Sequence, residues 1–313
     1  MDSDALEPDP LLPLLNERLM HQALGLGLKA KAGENLIRWC LQVARWLDEK
    51  ISTRNSPYLL GINGAQGSGK TTFVKLLRTV MQDGFARHTS HLGLDDFYKP
   101  KQQRQALAEE VHPLLSTRGV PGTHDMELAR LVIESLVAGE EVASPLFDKA
   151  IDDRLPESDW MHHAGASDLI LFEGWCVGAN SQPNSELESP VNSLEEAQDG
   201  DRVWRNYVNS RLQKGAYRDL FDRLDGLLML QVPDMEAVFR WRWQQEEQLR
   251  LARGPQEEIM TRQQVRYFIM HYERLTRHML QEMPQRADLV LALNAQHRLV
   301  DIVVRNASQA KTF

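Results

Sequence analysis

The sequence predicts an α/β protein of three layers, with a mainly parallel, doubly wound sheet between two sets of helices. Two observations carry that expectation. Short apolar runs suited to buried strands, "YLLGI", "SHLGL", "DLILF", "GLLMLQV" and "ADLVLAL", recur along the chain with helical patterns between them. The first run leads into "GINGAQGSGKTTF", a glycine-rich loop opening onto an amphipathic helix. A chain of 313 residues, 42% of them hydrophobic, can bury the core of one such domain with additions.

From the start, "MDSDALEPDP" is acidic and lacks the basic and apolar regions of a signal peptide, and no later run approaches a membrane span. With only Cys40 and Cys176, neither a disulfide framework nor a metal-ligand spacing is present. A cytoplasmic protein in a reducing compartment is expected. Residues 11–50 hold two helical stretches, the second placing Leu36, Cys40, Val43, Ala44 and Leu47 on one face. They define an N-terminal helical extension over 1–56, ahead of the sheet domain over 57–313.

Within the loop, Gly64, Gly69, Lys70 and Thr71 are spaced as G-x-x-x-x-G-K-T. Such a loop turns successive backbone N–H groups onto a β-phosphate, sends a lysine to the β/γ oxygens and offers a hydroxyl to Mg²⁺. Gly64, Ala65, Gln66, Gly67, Ser68, Gly69, Lys70, Thr71 and Thr72 are therefore the expected nucleotide-binding residues. Phe73, Val74, Leu77, Val80 and Met81 share one face of the following helix, which packs its back on the sheet and leaves its positive N-terminus at the loop. The glycines do not follow G-x-G-x-x-G, which excludes a dinucleotide fold.

Ligands of open α/β sheets collect at the carboxyl ends of strands. After "SHLGL" come Asp95, Asp96, Phe97 and Tyr98, so either a proton-accepting carboxylate or an acidic helix cap stands there. After "DLILF" comes Glu173, placed to share Mg²⁺ with Thr71 or to end a turn. Residues 179–200, rich in Ser, Asn, Pro and Glu without an apolar period, read as a surface insertion. In "VFRWRWQQEEQLRLARG", Arg240, Arg242, Arg250 and Arg253 suit either a transferring phosphoryl group or a solvated face, while Phe239, Trp241 and Trp243 suit packing. His112, His124, His162 and His163 show no zinc spacing. The 44 acidic against 36 basic residues, net charge −8, argue against a nucleic-acid surface, so an anionic ligand needs a local cationic cluster.

"GINGAQGSGKTT", "LGLDDFY", "RGVPGTHDMEL", "FDKAIDDR" and "LILFEGW" together resemble D-glycerate 3-kinase and its fungal kinase homologues, relatives of uridine kinase, phosphoribulokinase and bacterial pantothenate kinase. The resemblance runs in order from about Pro57 to Leu293. It implies a P-loop kinase domain with an insertion at 176–215 and a helical lid at about 236–262. It implies Asp95 as catalytic base beside Lys70, with Arg240 and Arg242 as lid arginines. It further implies an acceptor pocket drawn from Asp96, Tyr98, Arg118, His124, Asp125, Lys149 and Arg154, in which Arg118, Lys149 and Arg154 supply the cationic cluster. The reaction so implied is transfer of the γ-phosphoryl of Mg·ATP to a small metabolite, D-glycerate giving 3-phosphoglycerate. Another small hydroxyl acceptor, such as a sugar, a nucleoside or a pantothenate-like molecule, stands as the alternative. An accessory ATPase is the more remote one; the N-K-x-D of a GTPase is missing from "LALNAQHR". Neither nucleic acid nor membrane is an expected partner, and the sequence does not give the oligomeric state.

Overall fold

In the computed structural model, residues 12–253 and 260–305 are described. Ten strands and ten α-helices follow in order among them: α1 (Leu12–Gly25), α2 (Ala30–Ser52), β1 (Tyr58–Gly64), α3 (Lys70–Thr79), β2 (Thr89–Gly93), α4 (Lys101–Glu110), α5 (Met126–Ala138), β3 (Val142–Ser144), β4 (Phe147–Asp148), β5 (Asp153–Arg154), β6 (Met161–His163), β7 (Leu169–Gly174), α6 (Ser193–Gln198), α7 (Val203–Gln213), α8 (Ala216–Phe221), β8 (Gly226–Gln231), α9 (Met235–Arg253), α10 (Arg262–Glu282), β9 (Leu289–Leu293) and β10 (Leu299–Val304).

The main sheet runs β10-β9-β8-β1-β7-β2. Four of its five strand pairings are parallel, and at the edge β10 joins β9 antiparallel. Alternation along each strand sorts side chains to two faces. Leu60, Ile62, Leu169, Leu171, Leu228, Leu230, Leu289 and Leu291 enter one core with α1, α2, α3 and part of α9. Leu59, Ile170, Phe172, Leu227, Met229 and Val290 enter the other with α5, α7, α8 and part of α10. These are the three layers expected.

Two segments pack more deeply than their sequence suggests. Leu15, Leu19 and Ala23 of α1 and Ile37, Cys40, Leu41, Val43, Ala44 and Leu47 of α2 are buried in the same core as Phe73, Val74 and Leu77, so the N-terminal helices form an outer layer of the sheet domain. The stretch 179–200 is not merely a surface insertion, because Leu187, Leu194, Glu195 and Asp199 are buried. Arg274 of α10 donates to both carboxylate oxygens of Glu195 at 2.7 and 2.6 Å, and Arg205 meets Asp199 at 3.0 Å. Paired, hydrogen-bonded charges replace an apolar period as the anchor. The opening decapeptide "MDSDALEPDP" lies outside the described residues, as do residues 254–259 of the expected lid. No described helix is long and apolar enough to cross a membrane.

Candidate active site

β1 ends in the glycine-rich loop, and its register sets the floor of the site. Ile62 pairs with Glu173 of β7, which in turn pairs with Gly93 of β2. The loop, Glu173 and the residues following Gly93 thus emerge at one edge. Gly67 and Gly69 have φ of +76° and +87°, a region glycine enters freely. A Cβ on Gly67 would also lie 3.1 Å from Trp241 Cβ and 3.2 Å from Arg242 N, so α9 packs directly on the loop. Gly69 offers α3 no side-chain cap, leaving the first-turn N–H groups of Lys70, Thr71 and Thr72 without intrahelical partners and free for an anion. Ala65 and Ser68 are buried, Gln66 is half-buried, and a Cβ at Gly64 would press on Ser68 Oγ at 2.8 Å.

Thr71 Oγ1 donates to Glu173 Oε1 at 2.9 Å, joining the loop to the end of β7. His91 stands 3.8 Å from the same carboxylate. Burial pushes Glu173 up, but His91 and the Lys70 ammonium more than reverse this and hold it below the ordinary carboxylate range. Burial pulls Lys70 down, with Glu173 and Asp95 partly offsetting it. A hydroxyl beside an ionised carboxylate is an oxygen pair suited to a hard cation.

A single 3-10 turn, Leu94–Phe97, follows β2 and separates the two aspartates. Asp95 accepts from Lys149 Nζ at 2.7 Å and Tyr98 OH at 2.9 Å. Burial pushes its carboxyl up, but Lys149 and then Lys70 outweigh that and bring it to about 2. Asp96 faces the β4–β5 hairpin, accepting from Phe147 N at 3.3 Å, and burial raises it to about 6. Asp95, not Asp96, is the aspartate within reach of the Lys70 charge.

The expected cluster of Arg118, Lys149 and Arg154 resolves into three separate ion pairs. Lys149 holds Asp95 at 2.7 Å, Arg154 holds Asp125 at 3.2 Å, and Arg118 holds Asp152. Asp125 also caps α5 by accepting from Leu128 N at 3.2 Å, the helix-cap role that "THD" permits. His124 is buried, stacked on Tyr98 at 4.5 Å, with Nδ1 2.7 Å from Tyr217 OH. Tyr217 OH also accepts from Gly122 N at 2.8 Å, and the imidazole tautomer sets which of Tyr217 and His124 Nδ1 donates to the other. Burial lowers His124 to about 3, so it is a neutral imidazole here.

Arginines of the expected lid point in different directions. Arg240 donates to Ala295 O at 3.3 Å, in the turn between β9 and β10. Arg242 pairs with Glu246 and lies over the Phe268 ring at 5.6 Å. It lines a cleft of about 470 Å³ together with Arg118, Asp152, Lys101 and Phe268. Arg250 lies over Trp243 at 5.6 Å, and the Arg253 side chain falls outside the described residues. Phe239 and Trp241 are buried as packing residues. Trp241 also stacks on His297 at 4.2 Å beside a second cavity of about 270 Å³, which opens onto Gly67, Ser68, Gly69 and Thr72.

Three contributors were missed in the sequence. Gly27 and Leu28, in the turn between α1 and α2, and Asn35 of α2 wall the cavity beside the phosphate loop. Arg104, wholly buried, donates to Lys99 O at 3.1 Å, Ser116 O at 2.8 Å and Asp152 O at 2.6 Å, tying three segments beside the cleft together. Asp152 carries Arg118. In "KQQRQALAEE" Arg104 looks like any solvated helix arginine, and only the turn-forming "IDDR" hints at Asp152.

The chain matches no model of a known protein family. It is 31% identical over 243 residues to the uncharacterized kinase mug58 of Schizosaccharomyces pombe, covering 74% of this chain and 84% of that protein. It is 28% identical over 231 residues to the chloroplastic D-glycerate 3-kinase of Arabidopsis thaliana, covering 67% of this chain and 48% of that one. The solved D-glycerate 3-kinase of Cryptococcus neoformans var. grubii superposes with a TM-score of 0.72 at 23% identity, over 85% of this chain and 99% of that one, which shows a shared fold. With the phosphate loop, the strand-end carboxylates and these relatives in view, the chain belongs to the family of P-loop kinases that comprises D-glycerate 3-kinase and its fungal kinase homologues.

Proposed function

We propose that this protein transfers the γ-phosphoryl of ATP to the terminal hydroxyl of D-glycerate, giving 3-phosphoglycerate. The observation that carries the reading is the pairing of two subsites across the Phe147 ring, which packs on Tyr98 at 5.2 Å and beneath the Arg118 guanidinium at 5.5 Å. Asp95 stands between Lys149 and Tyr98 within reach of the Lys70 charge, and a cleft faced by Arg118 and Arg242 offers guanidinium groups to a carboxylate. The relative named for D-glycerate adds to it.

In this reading the loop amides and Lys70 hold the β- and γ-phosphates, and the nucleoside lies in the cavity beside Trp241 and His297. Thr71 and Glu173 would hold Mg²⁺, which when bound neutralises charge on the phosphate oxygens. Arg118 binds the acceptor carboxylate and Asp95, still held by Lys149, accepts a further hydrogen bond from the far hydroxyl. As the acceptor oxygen bonds to phosphorus and the bond to ADP breaks, the hydroxyl proton passes to Asp95. A carboxyl at about 2 is a weak base, which suits the loose transition state of phosphoryl transfer, where positioning outweighs early proton removal.

An ADP-release screen over hydroxy acids, polyols, sugars, nucleosides and pantothenate tests it. D-glycerate should be turned over, and glycerol, lacking the carboxylate, should be poor. Turnover of a sugar or nucleoside with D-glycerate inert would overturn the acceptor while leaving the kinase family intact. ATP hydrolysis that proceeds at full rate with no acceptor would favour an accessory ATPase.

A further inference from the structure

The cleft between Arg118 and Arg242 has a charge balance that bears on which anions it admits. Arg104 is wholly buried beneath it, Arg118 is one-quarter exposed and Arg242 is 17% exposed at the side chain. Against these stand Asp152, which binds Arg118 through Oδ1 and Arg104 through Oδ2 at 3.0 Å, and buried Glu246, which binds Arg242. Three guanidinium groups thus face two carboxylates, a surplus of one positive charge. Lys101 also lines the cleft but is exposed, and its charge is screened by water and salt.

Asp152 is a built feature of this arrangement. It has φ of +55°, a left-handed conformation in which Asp and Asn are favoured among residues bearing a Cβ. Its carbonyl accepts from the same Arg104 Nη2 that meets its carboxylate, at 2.6 Å, so backbone and side chain are fixed together. Only one amino group of Arg118 is given to Asp152, and the opposite edge of the guanidinium stays available for a second carboxylate.

We infer that Asp152 is a specificity determinant: by holding Arg118 and cancelling one guanidinium charge, it fits the cleft to an acceptor with a single carboxylate and turns away dianions. The inference rests on the proposed acceptor class. A dianion brought into the cleft would leave an unmatched negative charge in partly desolvated surroundings, whereas a monoanion completes the pairing.

The test compares D-glycerate, a monoanion, with tartronate, a hydroxy acid carrying two carboxylates, by calorimetric binding to the ADP-bound protein and by inhibition of D-glycerate turnover. Asp152→Asn keeps the side-chain size and tolerates the positive φ, and Glu246→Gln removes the other carboxylate from a different element. In the wild type D-glycerate should bind at least tenfold more tightly than tartronate. Each variant should shift the ratio at least tenfold toward tartronate, with ADP affinity unchanged. Ratios that stay within twofold of wild type in both variants, with D-glycerate still bound, overturn the inference and leave the proposed function standing. If the wild type binds neither acid and turns over a neutral acceptor, the proposed function falls and this inference with it.

Discussion

Replacing Asp96 with asparagine should stabilise the protein above neutral pH and leave it unchanged in acid. Burial lifts the Asp96 carboxyl from an ordinary 3.8 to about 6: the bond from Phe147 N, at 3.3 Å, and the Lys149 and His91 charges offset it in part, and Asp95 is a like-charged neighbour. A carboxyl with a raised folded pKa binds its proton more tightly in the native than in the unfolded chain. The contribution of Asp96 to native stability is therefore greatest below about pH 4 and falls as pH rises through about 6, as the buried group ionises. At about 1.4 kcal/mol per unit the shift is worth about 3 kcal/mol, and about 1 to 2 kcal/mol after screening of a half-buried group. An asparagine oxygen keeps the bond from Phe147 N and carries no charge. Urea unfolding followed by tryptophan fluorescence should give Asp96→Asn a gain of about 1 to 2 kcal/mol at pH 8 and almost none at about pH 3. A gain that does not vary with pH would refute the reasoning. The catalytic arm runs the other way: Asp95→Asn should lower kcat by about 10² to 10⁴ with ATP affinity kept, and Asp96→Asn by less than about tenfold. Reversal of those two losses would make Asp96 the proton acceptor.

Lys70→Ala should depress kcat by orders of magnitude and weaken ADP binding in a protein that melts as the wild type does, since its ammonium makes no close ion pair among the described residues and donates to Ala65 O at 3.5 Å; unchanged turnover would remove it from the phosphate site. Arg242→Ala should raise KM for D-glycerate about tenfold or more, and Arg240→Ala should not, because Arg242 faces the cleft and Arg240 the Ala295 turn. Equal effects in steady-state kinetics would deny that division. Arg274→Met should cost about 3 to 5 kcal/mol in urea unfolding by stranding the buried Glu195 carboxylate, with kcat per folded molecule little changed. A loss under about 1 kcal/mol would mean that 179–200 is held by other contacts.

The sheet was legible where burial on two faces leaves continuous apolar runs, and each of the five expected strands falls within two residues of its run. β10 was not, because on an edge strand Val300, Val303 and Val304 remain exposed and only Leu299 is buried, so no alternation marks it. The hairpin strands β4 and β5 have two residues each, too few for any period. The phosphate loop could be read because backbone geometry dictates glycines at set positions. The wall of the Arg118 cleft could not, since Arg118 reaches Asp152 across 34 residues and Arg104 reaches it across 48. Pairings set by tertiary approach leave no spacing rule, which is why the expected cation cluster became separate ion pairs.

That separation bears on how an acidic protein handles anionic ligands. Five cations around the site already hold a carboxylate: Lys149 holds Asp95, Arg154 holds Asp125, Arg118 shares Asp152 with Arg104, and Arg242 holds Glu246. Such pairs cost less to desolvate than bare cations. They also fix guanidinium planes before a ligand arrives, so less side-chain entropy is lost on binding. The consequence is a site whose attraction for anions is small at long range and strong only where a ligand's geometry meets the unused edge of a guanidinium. Binding should therefore depend weakly on ionic strength and steeply on the position of the carboxylate along the acceptor, the property a kinase needs if phosphoryl transfer is to reach one hydroxyl of a three-carbon chain and not its neighbour.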